Sequence, residues 1–322
     1  MKTVKGLLPW IIAAAILYYL FTQYPPRLIL KAINYLNIPL FLLYAILYFL
    51  FMWLTDCLCF SWLLTRFGYP TKTLEVGPSR FASYLLMTLH FGAGQGALAW
   101  LFTKNRGIPF FKSSSLLLMT SIVDIYWTVT LGFLASWWVP LSVRGIDLVP
   151  FVRLIWGVAS AGLLFLILFF KLPIDWHLIR WVRTRDLFHT FHEARLRDYL
   201  ATLFLRLPMH LALNSVLFFV ALTFQCSIPL KTVLAYSPLA TLVGSIPITP
   251  SGLGTTQAAV VELLSDHLSG ALLTSGWLTA GDLIFYMSLL FTVSNFLLKI
   301  LTGAFFVRRL SFRKTIVVEE VA

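Results

Sequence analysis

Several ionisable residues lie inside or beside strongly apolar stretches of the sequence. Ionisable groups are costly at membrane depth, so they are functional candidates by default, although each could equally form a structural pair or contact water. An arginine near the end of an apolar stretch can hold a phosphate, although topology alone also places positive charge there. The ionisable residues in question are Asp56, Arg80, His90, Asp124, Arg206, Glu262 and Asp282, of which Arg80, His90, Asp124, Arg206 and Asp282 are predicted to bind substrate.

A second candidate site is the segment 247–257, which reads Pro-Ile-Thr-Pro-Ser-Gly-Leu-Gly-Thr-Thr-Gln. Ser251 is predicted to cap a helix over 255–268. The free N–H groups and positive dipole end of such a helix bind phosphate readily, although an ordinary helix start after a tight turn is the alternative. The predicted binding residues are Thr249, Pro250, Ser251, Gly252, Gly254, Thr255 and Gln257, together with Gly94 and Gly96 of an earlier glycine-rich segment.

Other site chemistries find little support. The run His189-Thr-Phe-His192-Glu193 lacks the His-Glu-x-x-His spacing of a zinc helix. Gly92, Gly94 and Gly96 follow no strand, so they form no dinucleotide fingerprint. No nucleophile–base pair stands out, and Lys299 is expected to extend to the membrane surface. We therefore expect no metal, no cofactor and no enzymatic activity.

The composition indicates an integral membrane protein, whose apolar surface is in contact with lipid. Hydrophobic residues make up 59% of the chain, charged residues only 12%, and the mean hydropathy is +0.85. A soluble domain carries about 25% charged residues. The net charge of +12 comes from basic residues between the apolar runs, which suits anionic lipid headgroups and topology rather than nucleic acid.

Six apolar segments are long enough to be predicted as full crossings: 7–22, 38–63, 114–138, 152–170, 203–224 and 274–306. Placing the N-terminus in the cytoplasm puts the basic loop 171–200 and the basic tail 311–322 on the same side. The sequence therefore predicts a multi-pass protein of a bacterial cytoplasmic (inner) membrane with both termini cytoplasmic. Residues 172–200 are predicted to lie at the membrane interface.

Two further apolar segments, 81–111 and 229–269, are broken by glycine. A full crossing of 81–103 would place three basic residues outside, so both segments are predicted to be re-entrant hairpins, with glycine-mediated helix packing as the alternative. The fold predicted is all-α, with about six spans and two hairpins in an inverted repeat. The single membrane domain 1–322 would contain a first half, 1–151, a linking span, 152–171, and a second half, 201–310.

Residues Ile246 to Gln257 resemble the Pro-x-[Ser/Thr]-Pro-Gly-Gly-Leu-Gly-x-x-Glu signature of the lysylphosphatidylglycerol synthase transmembrane-domain family, which is flippase-like. Ser251 replaces a glycine and Gln257 the glutamate of that signature, which puts cation coupling at that position in doubt. The region from Tyr84 to Arg106 looks like the family's first broken segment. Because the chain stops at Ala322, the aminoacyl-transferase domain that follows in the synthases is expected to be absent.

The resemblance implies a protein that moves or accommodates a lipid. Our leading hypothesis is a flippase-like protein that binds an anionic or phosphate-bearing lipid between two opposed hairpins and translocates it. One alternative is a scaffold or accessory subunit for a lipid-modifying or cell-envelope enzyme. Another is an intramembrane enzyme that acts on a lipid headgroup.

Overall fold

A computed structural model describes residues 2–172, 177–246, 248–274 and 276–319. Its helices are α1 (Lys2–Gln23), α2 (Arg27–Ile33), α3 (Ile38–Arg66), α4 (Thr73–Leu89), α5 (Phe91–Arg106), α6 (Phe110–Ala135), α7 (Val149–Lys171), α8 (His177–Arg183), α9 (His189–Glu193), α10 (Leu196–Asn214), α11 (Val216–Thr223), α12 (Leu230–Ser245), α13 (Thr255–Leu264), α14 (Ala271–Thr274) and α15 (Ala280–Glu319). Four short strands are β1 (Ser142–Val143), β2 (Ile146–Asp147), β3 (Cys226–Ser227) and β4 (Ser269–Gly270). Pro247, residues 173–176 of the predicted interfacial segment and residues 320–322 of the predicted tail lie outside the described residues.

The described chain contains five helical stretches that are long and apolar enough to cross a membrane. They are Ile38–Arg66, Phe110–Ala135, Val149–Lys171, Leu196–Thr223 and Ala280–Leu310, and α1 adds a shorter apolar stretch, Pro9–Gln23. Large apolar side chains on these helices are exposed, such as Leu154 (65%) and Phe165 (68%) of α7, which suits a lipid environment. The predicted all-α polytopic membrane fold is confirmed.

The helices α4 and α5 form the first of two antiparallel hairpins. The extended backbone of His90 separates the two helices, and Asn105 Nδ2 donates to Ser79 Oγ near their other ends, at 3.3 Å. At the base, Glu75 accepts hydrogen bonds from the Lys72 backbone N–H and from the Arg106 guanidinium, and these two interactions lower the pKa of its carboxyl group. The glycines of segment 92–96 lie in the first turns of α5, so the chain breaks at His90 and not at the glycines.

The second hairpin consists of α12, which ends at Ser245, the loop that precedes α13, and α13, which begins at Thr255. The rings of Tyr236 and His267 pack against each other with their centres 5.1 Å apart and their planes tilted by 34°, and β3 pairs with β4 to close the base of the hairpin. In the loop, Gly252 adopts a left-handed φ of +73°, and a Cβ there would lie 2.8 Å from the Gly244 carbonyl oxygen. Glycine at 252 is therefore required by both the backbone conformation and the close approach to α12.

The chain forms two compact units. The first unit comprises Met1–Tyr48, Ile125–Ala159 and His210–Asn295, and it contains the hairpin α12–α13. The second unit comprises Phe49–Asp124, Ser160–Met209 and Phe296–Ala322, and it contains the hairpin α4–α5. Membrane re-entry by the hairpins, the inverted repeat and the division into sequence halves stay predictions.

A pair of matched substitutions tests the packing of the first hairpin. A Cβ on Gly94 would lie 2.5 Å from the Met87 Cβ, whereas a Cβ on Gly96 would meet nothing within 4 Å. We expect Gly94→Ala to lower the free energy of unfolding by about 1–3 kcal/mol through overpacking. We expect Gly96→Ala to leave it unchanged or raise it by up to about 1 kcal/mol, since alanine favours helix. Denaturant unfolding of the purified protein in detergent measures both values, and equal values would contradict the close packing at Gly94.

Candidate functional site

Four charged side chains converge in the interior of the second unit, and we call them the ionic cluster. Asp56 comes from α3, Arg80 from α4, Asp124 from α6 and Arg206 from α10. Four separate helices therefore meet at one group of charges. Asp56, Arg80 and Arg206 are each 3% exposed, so these charges have little access to solvent.

The cluster is a chain of alternating charges. Arg206 binds Asp124 through two hydrogen bonds of 2.7 and 2.5 Å, and its Nη1 donates to Asp56. Arg80 binds the other oxygen of Asp56 through Nε at 2.8 Å and through Nη2 at 2.6 Å. The Tyr84 hydroxyl donates to that same oxygen at 3.2 Å. Asp56 thus bridges both guanidinium groups, which places its carboxylate at the centre of the cluster.

One donor of the cluster lacks a partner among the described residues: Arg80 Nη1 is buried and makes no hydrogen bond there. The Arg80 guanidinium carbon lies 5.4 Å from the centre of the Phe60 ring and 4.8 Å from that of Tyr84. A buried, charged donor without an acceptor is costly. Arg80 Nη1 is therefore the donor in the cluster at which an additional acceptor oxygen would be most strongly stabilised.

The sequence around the cluster explains how α4 reaches it. A Cβ on Gly77 would lie 2.6 Å from the Trp53 ring, so glycine lets α4 approach α3 closely. The Trp53 indole N–H donates to the Gly77 carbonyl at 3.3 Å. Arg80 and Tyr84 are four residues apart and therefore share one face of α4. That face is the one that meets Asp56.

Of the predicted binding residues, the structure brings together Arg80, Asp124 and Arg206. The predicted set omitted Asp56 and Tyr84, although Asp56 was noted as an intramembrane charge. Lys299, expected at the membrane surface, lies with its Nζ 5.9 Å from the centre of the Tyr84 ring. The sequence did contain a signal for Asp56. No basic residue lies within one helical turn of this carboxylate on α3, so its partner had to come from another helix.

Three further predicted residues lie elsewhere on the first hairpin. His90 is ten residues from Arg80 along α4, or about 15 Å. It is exposed at the tip, and its ring accepts a hydrogen bond from the Ala93 backbone. Gly94 packs against Met87, and Gly96 is exposed. Their binding role stays a prediction, and the structure does not place them at the ionic cluster.

The prediction that Ser251 caps the helix after the loop is wrong. Ser251 has a left-handed φ of +51° inside a 3-10 turn over Pro250–Gly252, whereas a capping residue needs an extended backbone. The helix α13 begins only at Thr255, after Gly254 with φ +88°. Gln257 instead accepts from the Gly254 N–H at 2.7 Å, so this N–H is already occupied.

The predicted binding residues of the second hairpin are largely engaged with one another. Thr249 and Thr255 share a hydrogen bond of 3.1 Å, and Thr255 also donates to the Gly252 carbonyl. Gln257 Nε2 donates to Thr292 of α15 at 3.0 Å, which fixes the start of α13 to a long helix. These contacts give the hydroxyl and amide groups a structural use, and lipid binding by them stays a prediction.

Asp282 also has a local structural partner. It lies in the first turn of α15, where its carboxylate accepts from the Thr279 N–H at 2.8 Å and from the Thr279 hydroxyl at 2.6 Å. The Asp282 N–H in turn donates to the Thr279 hydroxyl. This reciprocal arrangement is a capping box. Asp282 belongs to the first unit and Asp124 to the second.

Within the described residues, no group of three or more His, Cys, Asp or Glu side chains is arranged to hold a metal ion. Long apolar helices and a buried ionic cluster together define a multi-pass membrane protein with charges buried among its helices. A family model described as the lysylphosphatidylglycerol synthase transmembrane region matches residues 6–291, and the chain belongs to this family. No curated protein and no solved structure matches the chain. The family identifies a membrane protein connected with lipid handling.

The geometry of the ionic cluster predicts how substitution of Asp56 changes the free energy of unfolding. Asp56→Asn would leave Arg80 and one arm of Arg206 without a counter-charge, so we expect a loss of about 3–5 kcal/mol in the free energy of unfolding. Glu75→Gln removes a carboxylate from a partly exposed pair with Arg106 and serves as the control, with only a small expected effect. Thermal and denaturant unfolding in detergent compare the two. An equally small effect of both substitutions would mean that Asp56 does not neutralise the cluster.

Proposed function

We propose that the ionic cluster binds the phosphate of an anionic lipid and that the protein translocates this lipid across the membrane. The observation that carries the proposal is the buried Arg80 guanidinium, which has one unpartnered N–H donor and a second arginine linked to it through Asp56. Two guanidinium groups with complementary planar donors suit the oxygens of a phosphate. The membership of the chain in a lipid-related family supports the same conclusion.

In this proposal the carboxylates hold the place of the phosphate while the site is empty. Each arginine keeps an anionic partner throughout, because a phosphate oxygen replaces a carboxylate oxygen of Asp56 or Asp124 at the same guanidinium. Isolating either arginine would be far more costly, since the bilayer offers no water to solvate it. Tyr84 donates to Asp56 and would help to hold that carboxylate when an arginine turns away from it.

We further propose that both hairpins re-enter the membrane from the side on which their bases lie. The helices α4 and α5 have 17 and 16 residues, which corresponds to about 24–26 Å, less than the ~30 Å hydrocarbon core. The base of this hairpin is polar, with Glu75 paired to Arg106, whereas its tip exposes Leu89 (52%) and Phe91 (45%). The helices α12 and α13, with 16 and 10 residues, are also too short to span this core.

The proposed location is a bacterial inner membrane with both termini in the cytoplasm. Basic residues accumulate in the second unit around the base of the first hairpin, in the segment before α10 and in the first turn of α10. They are Arg66, Lys72, Arg106, Arg183, Arg185, Arg195 and Arg197. By the positive-inside rule this concentration of charge would face the cytoplasm.

A scaffold for a lipid-modifying enzyme is the second candidate, and one observation favours it. The most apolar stretch of α7 is only 6% buried, whereas the corresponding stretches of the other four spans are 28–44% buried. A partner helix could pack on such an unoccupied face, although lipid also covers it. A scaffold would not depend on the arginines of the ionic cluster, and this difference separates the two candidates.

The proposed function is tested by lipid movement in proteoliposomes that contain fluorescent anionic lipids, with Arg80→Lys compared to wild type. Lysine keeps the charge but loses the planar fork, so we expect the rate to fall about 10- to 100-fold, as for the loss of one charge-assisted hydrogen bond.

Arg66→Lys is the matched control, because Arg66 also pairs with an aspartate, Asp198, and this pair joins α3 and α10, two of the four helices that supply the ionic cluster. We expect it to transport lipid at nearly the wild-type rate. Transport that is equal in all three proteins would place the phosphate site elsewhere. Failure of the folded wild type to move any anionic lipid would favour the scaffold.

A further inference from the structure

The first unit contains an apolar groove that the transport proposal does not use. The groove has a volume of about 620 Å³, within the range of about 300–1,000 Å³ for pockets that hold small organic ligands. One wall is a single face of α13, formed by Thr255, Ala258, Ala259, Glu262 and Leu263. The other walls are formed by Ile16, Val143, Leu148, Phe151, Val152, Ile155, Leu239, Leu242 and Val243.

The shape and lining of the groove suit one hydrocarbon chain. From Thr255 to Leu263 the wall runs about 12 Å, most of the ~15 Å that one leaflet of the hydrocarbon core measures. Ala258 and Ala259 are small, so α13 leaves room between itself and the larger side chains of α7 and α12. Glu262 is the one charged residue among the lining residues.

A charged pair lies where the groove meets the turn between β1 and β2. Arg144 donates to both carboxylate oxygens of Glu262, at 2.5 Å through Nε and at 2.8 Å through Nη2. The side chain of Arg144 is 79% exposed and that of Glu262 is 39% exposed. Val143, which precedes Arg144, lines the groove, so the pair stands beside the apolar wall.

We propose that this groove binds one acyl chain of a zwitterionic phospholipid of the phosphatidylethanolamine type, whose headgroup carries one phosphate and one primary amine and no net charge. The exposed pair presents a cation and an anion side by side, which complements a zwitterionic headgroup. The phosphate accepts hydrogen bonds from Arg144, and the ammonium group donates to Glu262. An anionic headgroup without an amine would instead oppose the Glu262 carboxylate. The binding site belongs to the first unit and does not rest on the proposed phosphate site of the ionic cluster.

The proposal is tested by native mass spectrometry of the purified protein with phospholipids of identical acyl chains. The three lipids are phosphatidylethanolamine, phosphatidylcholine, which keeps the charge but lacks N–H donors, and phosphatidylglycerol, which lacks the amine. We expect the wild type to retain phosphatidylethanolamine about tenfold better than either of the others, because only this lipid can donate a charged hydrogen bond to Glu262.

Two kinds of variant locate the binding. Ala259→Trp fills the groove and is expected to lose most of the retained lipid, whereas Ala161→Trp, at an exposed alanine of α7 outside the groove, should retain it. Arg144→Gln and Glu262→Gln should keep binding but lose the preference for phosphatidylethanolamine. Unfolding temperatures establish that each variant is folded.

Three outcomes would overturn the proposal. Equal retention of lipid by Ala259→Trp and Ala161→Trp would show that lipid merely coats the apolar surface. Equal retention of the three lipids by the wild type would remove the role of the charged pair. Preferential retention of phosphatidylglycerol would assign the groove to an anionic lipid. None of these results bears on Arg80, so failure here leaves the transport proposal standing.

Discussion

An arginine can stay buried among apolar helices only while carboxylates reach its guanidinium, and this requirement ties parts of four helices together within the second unit. Asp56 satisfies Arg80 and Arg206 at once, and Asp124 completes the coordination of Arg206. This requirement also fixes the position of α4. Arg80 reaches Asp56 only because Gly77 has no side chain and Trp53 can pack directly against the backbone there. The proposed binding of a phosphate is an extension of the same requirement.

The two hairpins satisfy their polar groups in different ways. The first uses charge, because Arg80 pairs with Asp56, to which the Tyr84 hydroxyl also donates. The second uses neutral groups, with Gln257 occupying the Gly254 N–H and reaching Thr292 of α15. A neutral amide at 257 can donate and accept at the same time, which a carboxylate cannot do without a proton. The departure from the family signature at this position thus coincides with a structural hydrogen-bond bridge.

The sequence predicted the all-α membrane fold because apolar runs of about 20 residues leave few alternatives. It identified Arg80, Asp124 and Arg206 individually, because each interrupts an apolar environment. It did not pair them, since Arg206 meets Asp56 across 150 positions, a separation that no local pattern records. The capping residue of α13 was missed because Ser251 is of the right type, while the positive φ angles of Ser251, Gly252 and Gly254 became evident only in the structure.

The ionic cluster also has an electrical property that follows from its composition. Two aspartates and two arginines carry no net formal charge, and Lys299, beside Tyr84, would add one positive charge to this interior. A headgroup with a single negative charge would therefore bring the whole assembly to electroneutrality. In such a loaded state the membrane voltage would exert no net force on the occupied site, whereas the same voltage would act on the empty one.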